Sequence, residues 1–168
     1  MQDIYLVGFM GTGKTAVGRC LAKSLGLELV DVDDLIVKKE GRSISDIFAQ
    51  SGEPYFRKVE KEALKEVAGK NRQVVDCGGG IVIDPGNIMT MKQSGRLICL
   101  SARPQVILER TKRHSHRPLL NAADPLIKIN ELLEKRKDYY AKADFAVDTS
   151  DLTIQQVTEK ILEWVKTK

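Results

Sequence analysis

Cysteine, histidine and tryptophan are scarce in this 168-residue chain, at three, two and one. Cys20, Cys77 and Cys99 are odd in number and lack the pairwise spacing of a metal-ligand set, and each lies in or beside an apolar segment. They read as reduced core thiols, not as a disulfide framework or a zinc site. The two histidines, His114 and His116, fall in one basic run where such residues are usually solvated, so no metal is assigned to them. Long apolar runs are missing too: none approaches the roughly 20 residues that span a bilayer. The N-terminus MQDIYLVG lacks the basic start of a signal peptide. A cytoplasmic protein without membrane contact is expected.

What is present is balanced. With 42% hydrophobic and 30% charged residues and no biased tract, the chain fits one domain, 1–168, large enough for a real core. The net charge of +4 suits nucleic acid or small anionic ligands equally, so its distribution must decide.

Short runs rich in Val, Ile and Leu recur at Ile4–Val7, Leu27–Val32, Gln73–Cys77, Arg96–Leu100 and Phe145–Val147. Their nearly continuous apolar character suits strands buried on both faces of a parallel sheet. Between them the apolar positions fall at helical spacing: Lys14–Leu25, 54–68 with Pro54 near its first turn, Pro104 to about Arg113, and a helix opened by Asp124-Pro125 and running to about Tyr140. Ile154, Val157, Ile161 and Val165 make a last amphipathic helix. Alternating strands and helices predict a doubly wound α/β domain.

The strongest local signal runs from Gly8 to Thr15, GFMGTGKT, and fits G-x-x-x-x-G-K-[ST] between a strand and a helix. Glycines there let backbone N–H groups close around phosphate oxygens, and the helix N-terminus adds positive potential. Lys14 reaches the terminal phosphates and Thr15 can ligate Mg²⁺. A plain glycine-rich turn leaves Lys14 unexplained. A nucleoside triphosphate is therefore expected, and three fates for it are weighed.

Asp76-Cys-Gly-Gly79 matches the D-x-x-G of a GTPase-like switch, but no N-K-x-D for guanine occurs in the chain. The stretch 110–117, RTKRHSHR, is basic enough for a nucleic-acid module, yet no aromatic interleaves with it. Continuing a helix into a polar loop, it reads better as a lid closing over phosphates. A small-molecule kinase needs an acceptor site, and VDVDDLI at 30–36 is a candidate. Asp31, Asp33 and Asp34 repel one another, and Asp is a poor strand former. At the end of the second strand one Asp can hold a Mg²⁺-bound water, and another can orient a hydroxyl or take its proton. Helix capping before Leu35-Ile36 accounts for Asp34 without needing three acids. Gly78-Gly79-Gly80 is either a flexible turn or a backbone that approaches a ligand closely. Arg136 interrupts the apolar stripe Leu126, Ile129, Leu133 and Tyr140, so it either snorkels or points into a cleft. With Arg57, oriented by Glu60, it could fork onto a carboxylate.

The phosphate loop, DVDDLI, GRSISDIF at 41–48, GEPYFRKVE at 52–60, the triple glycine, RPLL at 117–120 and Arg136…Tyr140 together resemble shikimate kinase in order and spacing. The resemblance implies a P-loop, nucleoside-monophosphate-kinase-like fold: a five-stranded parallel sheet flanked by helices, a substrate-binding segment at about 33–60 and a mobile lid at about 111–124. It implies transfer of the γ-phosphoryl of ATP to the 3-hydroxyl of shikimate, on the route to chorismate and the aromatic amino acids. Gly8, Gly11, Thr12, Gly13, Lys14, Thr15 and Ala16 would hold the phosphates, and Arg110, Asp148 and Thr149 the adenine end. Asp31 would join Thr15 at Mg²⁺ through water. Asp33 would bind the shikimate hydroxyls and act as base, or only orient the one attacked. Arg57 and Arg136 would hold the carboxylate, and Gly78, Gly79 and Gly80 a ring hydroxyl. Lys14 and Arg117 would neutralise the moving phosphoryl group. Two features depart from the family. Position 76 is usually small or uncharged there, whereas Asp76 resembles a Walker-B acid, which either joins the Mg²⁺ shell at the expense of Asp31 or makes a structural hydrogen bond near the phosphate loop; Asp34 doubles the acid beside Asp33 and is expected to face outward. A kinase for gluconate or a nucleoside monophosphate is the nearest rival. No exposed apolar stripe demands a partner, so a monomer that binds no nucleic acid is expected.

Overall fold

The structure, a computed structural model of the chain, describes residues 2–68, 70–112 and 123–167. Five parallel strands form one sheet in the order β2-β3-β1-β4-β5. They are β1 (Asp3–Val7), β2 (Glu28–Asp31), β3 (Gln73–Asp76), β4 (Gly95–Ser101) and β5 (Phe145–Asp148). The apolar runs are continuous because alternate residues serve opposite faces. Ile4 and Leu6 of β1 pack with Val17, Leu21, Val157 and Ile161 of helices α1 (Lys14–Leu25) and α7 (Ile154–Lys166). Tyr5 and Val7 pack on the other face with Ile36, Leu64 and Met91 of helices α2 (Val32–Glu40), α3 (Ile44–Ala68) and α4 (Pro85–Ser94). A third, smaller core joins Phe9 and Met10 of the phosphate loop to Ile107 of α5 (Pro104–Thr111) and Ile129 of α6 (Pro125–Tyr140).

Each expected strand is present within a residue or two of its expected bounds, and so are the helices opened by Lys14, Pro104, Pro125 and Ile154. Several local expectations need correction. The second strand stops at Asp31, and Val32 is already helical. The cap of α2 is Asp31, not Asp34: its Oδ1 accepts from the backbone N–H of Asp33 at 2.9 Å and of Asp34 at 3.2 Å. The helix expected from Pro54 is the second part of α3, which begins at Ile44 and breaks at Gly52, where φ is 79°. Only glycine adopts that backbone cheaply, and Pro54 restarts the helix two residues on. Helix α4 was not expected, and α2 was anticipated only as a capped helix ahead of Leu35-Ile36. Helix α5 is described only as far as Thr111, and most of the lid expectation, with His114, His116 and Arg117, lies outside the described residues. Among the described residues, no helix is long and apolar enough to cross a membrane. All three cysteines are free thiols, with Cys77 and Cys99 buried.

Candidate active site

The C-terminal ends of β1, β2 and β3 meet at one edge of the sheet, beside the place where strand order reverses around β1. That is where open α/β sheets form ligand clefts. Between β1 and α1 the phosphate loop curls with Gly8, Gly11 and Gly13 at φ of 140°, 78° and 95°. Gly13 stands at the N-cap of α1, which has no side-chain cap and no acid in its first turn, so its leading N–H groups are left to the loop's interior. The Lys14 ammonium donates to the carbonyls of Gly8 and Phe9 at 2.9 and 3.2 Å, curled over the loop it serves. Thr12 is buried and donates to Phe9 O at 2.7 Å, while Ala16 continues α1 half-buried.

Thr15, the next residue of α1 after Lys14, is exposed, and its hydroxyl donates to Asp76 Oδ2 at 2.5 Å. Asp76 ends β3 directly opposite Asp31, which ends β2. Burial, and then the Asp76 carboxylate beside it, push the Asp31 carboxyl up to about 6 against the pull of its capping bond. Thr15, Asp31 and Asp76 form a set of hard oxygen donors, which suits Mg²⁺ and not a soft metal.

A second group lies around the glycine turn that follows β3. A Cβ at Gly80 would stand 2.4 Å from Arg57 Nη2, one at Gly79 3.5 Å from Arg136 Nη1, and one at Gly78 3.1 Å from both Asp33 Oδ1 and Glu60 Oε1. Both arginines, Asp33 and Glu60 therefore press on three consecutive residues that have no side chain to obstruct them. Arg57 donates to Glu60 Oε2 at 2.8 Å and to Glu53 Oε1 at 3.0 Å. Glu60 is 1% exposed, and burial pushes its carboxyl up to about 7 even with that guanidinium beside it. Arg136 is 6% exposed and lies over the Phe9 ring, 5.6 Å from its centre. Its helix is fixed to the turn by Tyr140, whose hydroxyl donates to Gly79 O at 2.7 Å. Asp34 is exposed, as expected.

At the far side of the phosphate loop, Arg110 of α5 donates to Gly11 O at 3.2 Å, to Thr149 Oγ1 at 2.9 Å and to Thr149 O at 2.8 Å. Thr149 also donates to Thr12 O at 2.9 Å, so the loop after β5 is joined to the phosphate loop. Asp148 is exposed and turned toward its own loop, accepting from Ser150 N and Oγ at 2.9 and 2.6 Å. Sequence reasoning missed the parts played by Phe9, a variable position of the loop motif, and by the Tyr140 hydroxyl. For Tyr140 a signal existed, its place one turn after Arg136 on the same stripe.

A family model described as shikimate kinase matches residues 10–166. The chain is 48% identical to a shikimate kinase of Thermodesulfovibrio yellowstonii, over 97% of this chain and 94% of that one. It is 43% identical to one of Caldanaerobacter subterraneus, over 100% and 99%. The solved structure of a shikimate kinase from Acinetobacter baumannii in complex with shikimate superposes with a TM-score of 0.95 at 36% identity, covering 99% of this chain and 94% of that one.

Proposed function

The chain belongs to the shikimate kinase family, and we propose that it moves the γ-phosphoryl group of ATP to the 3-hydroxyl of shikimate with the residues gathered at this edge of the sheet. The observation that carries the reading is the approach of Arg57 and Arg136 to one glycine turn, with Asp33 beside it and the phosphate loop one strand away. Two guanidiniums on one side of a cleft suit a carboxylate, and an acid between them and the phosphates suits a hydroxyl. In this reading Arg57 and Arg136 hold the shikimate carboxylate, while the turn from Gly78 to Gly80 lies under the ring. Asp33 accepts a hydrogen bond from the 3-hydroxyl and aligns it for in-line attack.

As the new O–P bond forms, the bond from the γ-phosphorus to the bridging oxygen breaks and ADP leaves. The hydroxyl proton passes to Asp33. The phosphate-loop N–H groups, with Gly8, Gly11, Thr12, Gly13 and Ala16 shaping them, hold the chain of phosphates, and Lys14 and Arg117 offset the charge spreading over the transferred group. Arg110 and the 148–149 loop bound the adenine end. Thr15, and Asp31 through water, would hold Mg²⁺, which would supply positive charge to offset that of the phosphates; the oxygen donors at this edge fit it. Little covalent chemistry is asked of the protein; positioning and charge supply the rate.

Segment 33–60 serves as the substrate-binding part of one domain and 111–124 as its lid. The enzyme works in the cytoplasm as a monomer without nucleic acid or membrane. The test is ADP release with ATP and Mg²⁺, comparing shikimate with gluconate, AMP, CMP and no acceptor. Release that depends strictly on shikimate is expected; release with another acceptor, or with none, overturns the assignment of the acceptor site.

A further inference from the structure

The conformation of Thr15 raises a question that the phosphate-loop motif leaves open. A hydroxyl has one proton and two lone pairs. Thr15 gives that proton to Asp76 Oδ2 at 2.5 Å, the length of a hydrogen bond strengthened by an ionised acceptor. What the exposed Thr15 oxygen still offers is lone pairs, which is what a cation needs. Asp76 is itself 4% exposed, follows the buried apolar pair Val74 and Val75, and is held in register beside Asp31. Two carboxylates side by side at a strand end make the local potential more negative, which favours a bound cation near them.

We infer that Asp76 belongs to the Mg²⁺ site. It fixes Thr15 as a lone-pair donor and adds its own negative charge beside that of Asp31. This deepens the phosphotransfer reading of the same edge and rests on it. In physical terms, Asp76 makes the empty phosphate loop less welcoming to a bare nucleotide and more welcoming to a metal-bound one. The enzyme thereby prefers the complex over free nucleotide by charge as well as by fit.

The test needs no acceptor and no turnover. ADP is titrated calorimetrically into wild type, Asp76→Asn and Asp76→Ser, once in excess EDTA and once in excess Mg²⁺. Asn keeps the shape and an oxygen that accepts from Thr15 but drops the charge; Ser drops the charge and most of the volume. In EDTA both variants are expected to bind ADP as tightly as wild type or more tightly. In Mg²⁺ the gain in affinity that wild type shows is expected to shrink by about tenfold or more. Weakening by the same factor in both conditions makes Asp76 a structural residue and overturns the inference. So does an Mg²⁺ gain equal to that of wild type. A wild type that binds ADP but gains nothing from Mg²⁺ likewise overturns it, while leaving nucleotide binding intact. If wild type binds no ADP at all, the phosphotransfer reading fails and the inference fails with it.

Discussion

At the scale of single residues, the acceptor half of the site depends on two groups that a folding argument alone would not bury. Arg136 is almost fully enclosed, with Phe9 under its guanidinium and Gly79 against it. Replacing it with Ala is expected to raise the KM for shikimate by roughly 10- to 100-fold, the worth of a charge-assisted pair. The KM for ATP should hardly move. Arg136→Lys should rescue little, because a point charge cannot reproduce the planar fork. Steady-state kinetics with each substrate varied would decide, and equal losses for both substrates would make Arg136 structural. Glu60 is the second such group. Its pKa near 7 lies above the ordinary value of 4.5, chiefly through burial. Between about pH 4.5 and 7 the native state therefore holds a proton that the unfolded chain has released, so this group's contribution falls as pH rises through that window. Relative to Glu60→Gln, wild type should lose up to about 3 kcal/mol of unfolding free energy between pH 4.5 and 8. Urea titrations of both proteins across that range would expose the difference, and parallel curves would mean that Glu60 stays ionised when folded.

At the scale of elements, the acceptor clamp relies on α6, which the third core anchors to the phosphate loop. Ile129 is wholly buried among Phe9, Met10 and Ile107, two turns before Arg136. Ile129→Ala should cost about 2–4 kcal/mol of stability. It should also raise the shikimate KM more than the ATP KM, because Arg136 shares the loosened helix; stability loss without that asymmetry would separate α6 packing from acceptor binding. The same elements explain what the sequence made legible. The strands stood out because residues such as Ile4 and Tyr5 face different cores yet are both apolar. Helix α4 begins with Asp84-Pro85, the same kind of start as Asp124-Pro125, but buries only Asn87, Ile88 and Met91, too few to mark a stripe. Helix α2 was anticipated only through capping ahead of Leu35-Ile36, and its cap is Asp31, the acid read instead for its chemistry. The phosphate loop was legible because all its parts are local. The approach of Arg57 and Arg136 to one turn was not, since it depends on where α3 and α6 end up against the residues after β3. The bond between Arg110 and Thr149 was hidden for the same reason.

At the scale of the whole molecule, the site hangs from all three cores: the phosphate loop spans from β1 to the third, α3 and the glycine turn belong to one face of the sheet, and α1 to the other. Ligands that bridge these parts bind only the folded chain, so they should shift one cooperative transition and not melt its parts separately. At a hundred times its Kd a ligand adds about 2.7 kcal/mol, which for a domain of this size raises Tm by roughly 5–10 °C. Shikimate and Mg²⁺-ADP should each produce such a shift, whereas gluconate should not. The exposed large apolar residues Val37, Tyr55, Ile83, Met89, Ile127 and Ile154 stand on different elements and form no stripe along any one helix. If the proposed monomer is right, Tm should rise with ligand and stay fixed as protein concentration changes a hundredfold. Scanning calorimetry at several protein concentrations, with and without shikimate, separates the two dependences. A Tm that climbs with protein concentration would require a subunit interface, and one indifferent to shikimate would remove the acceptor from the cleft between Arg57 and Arg136.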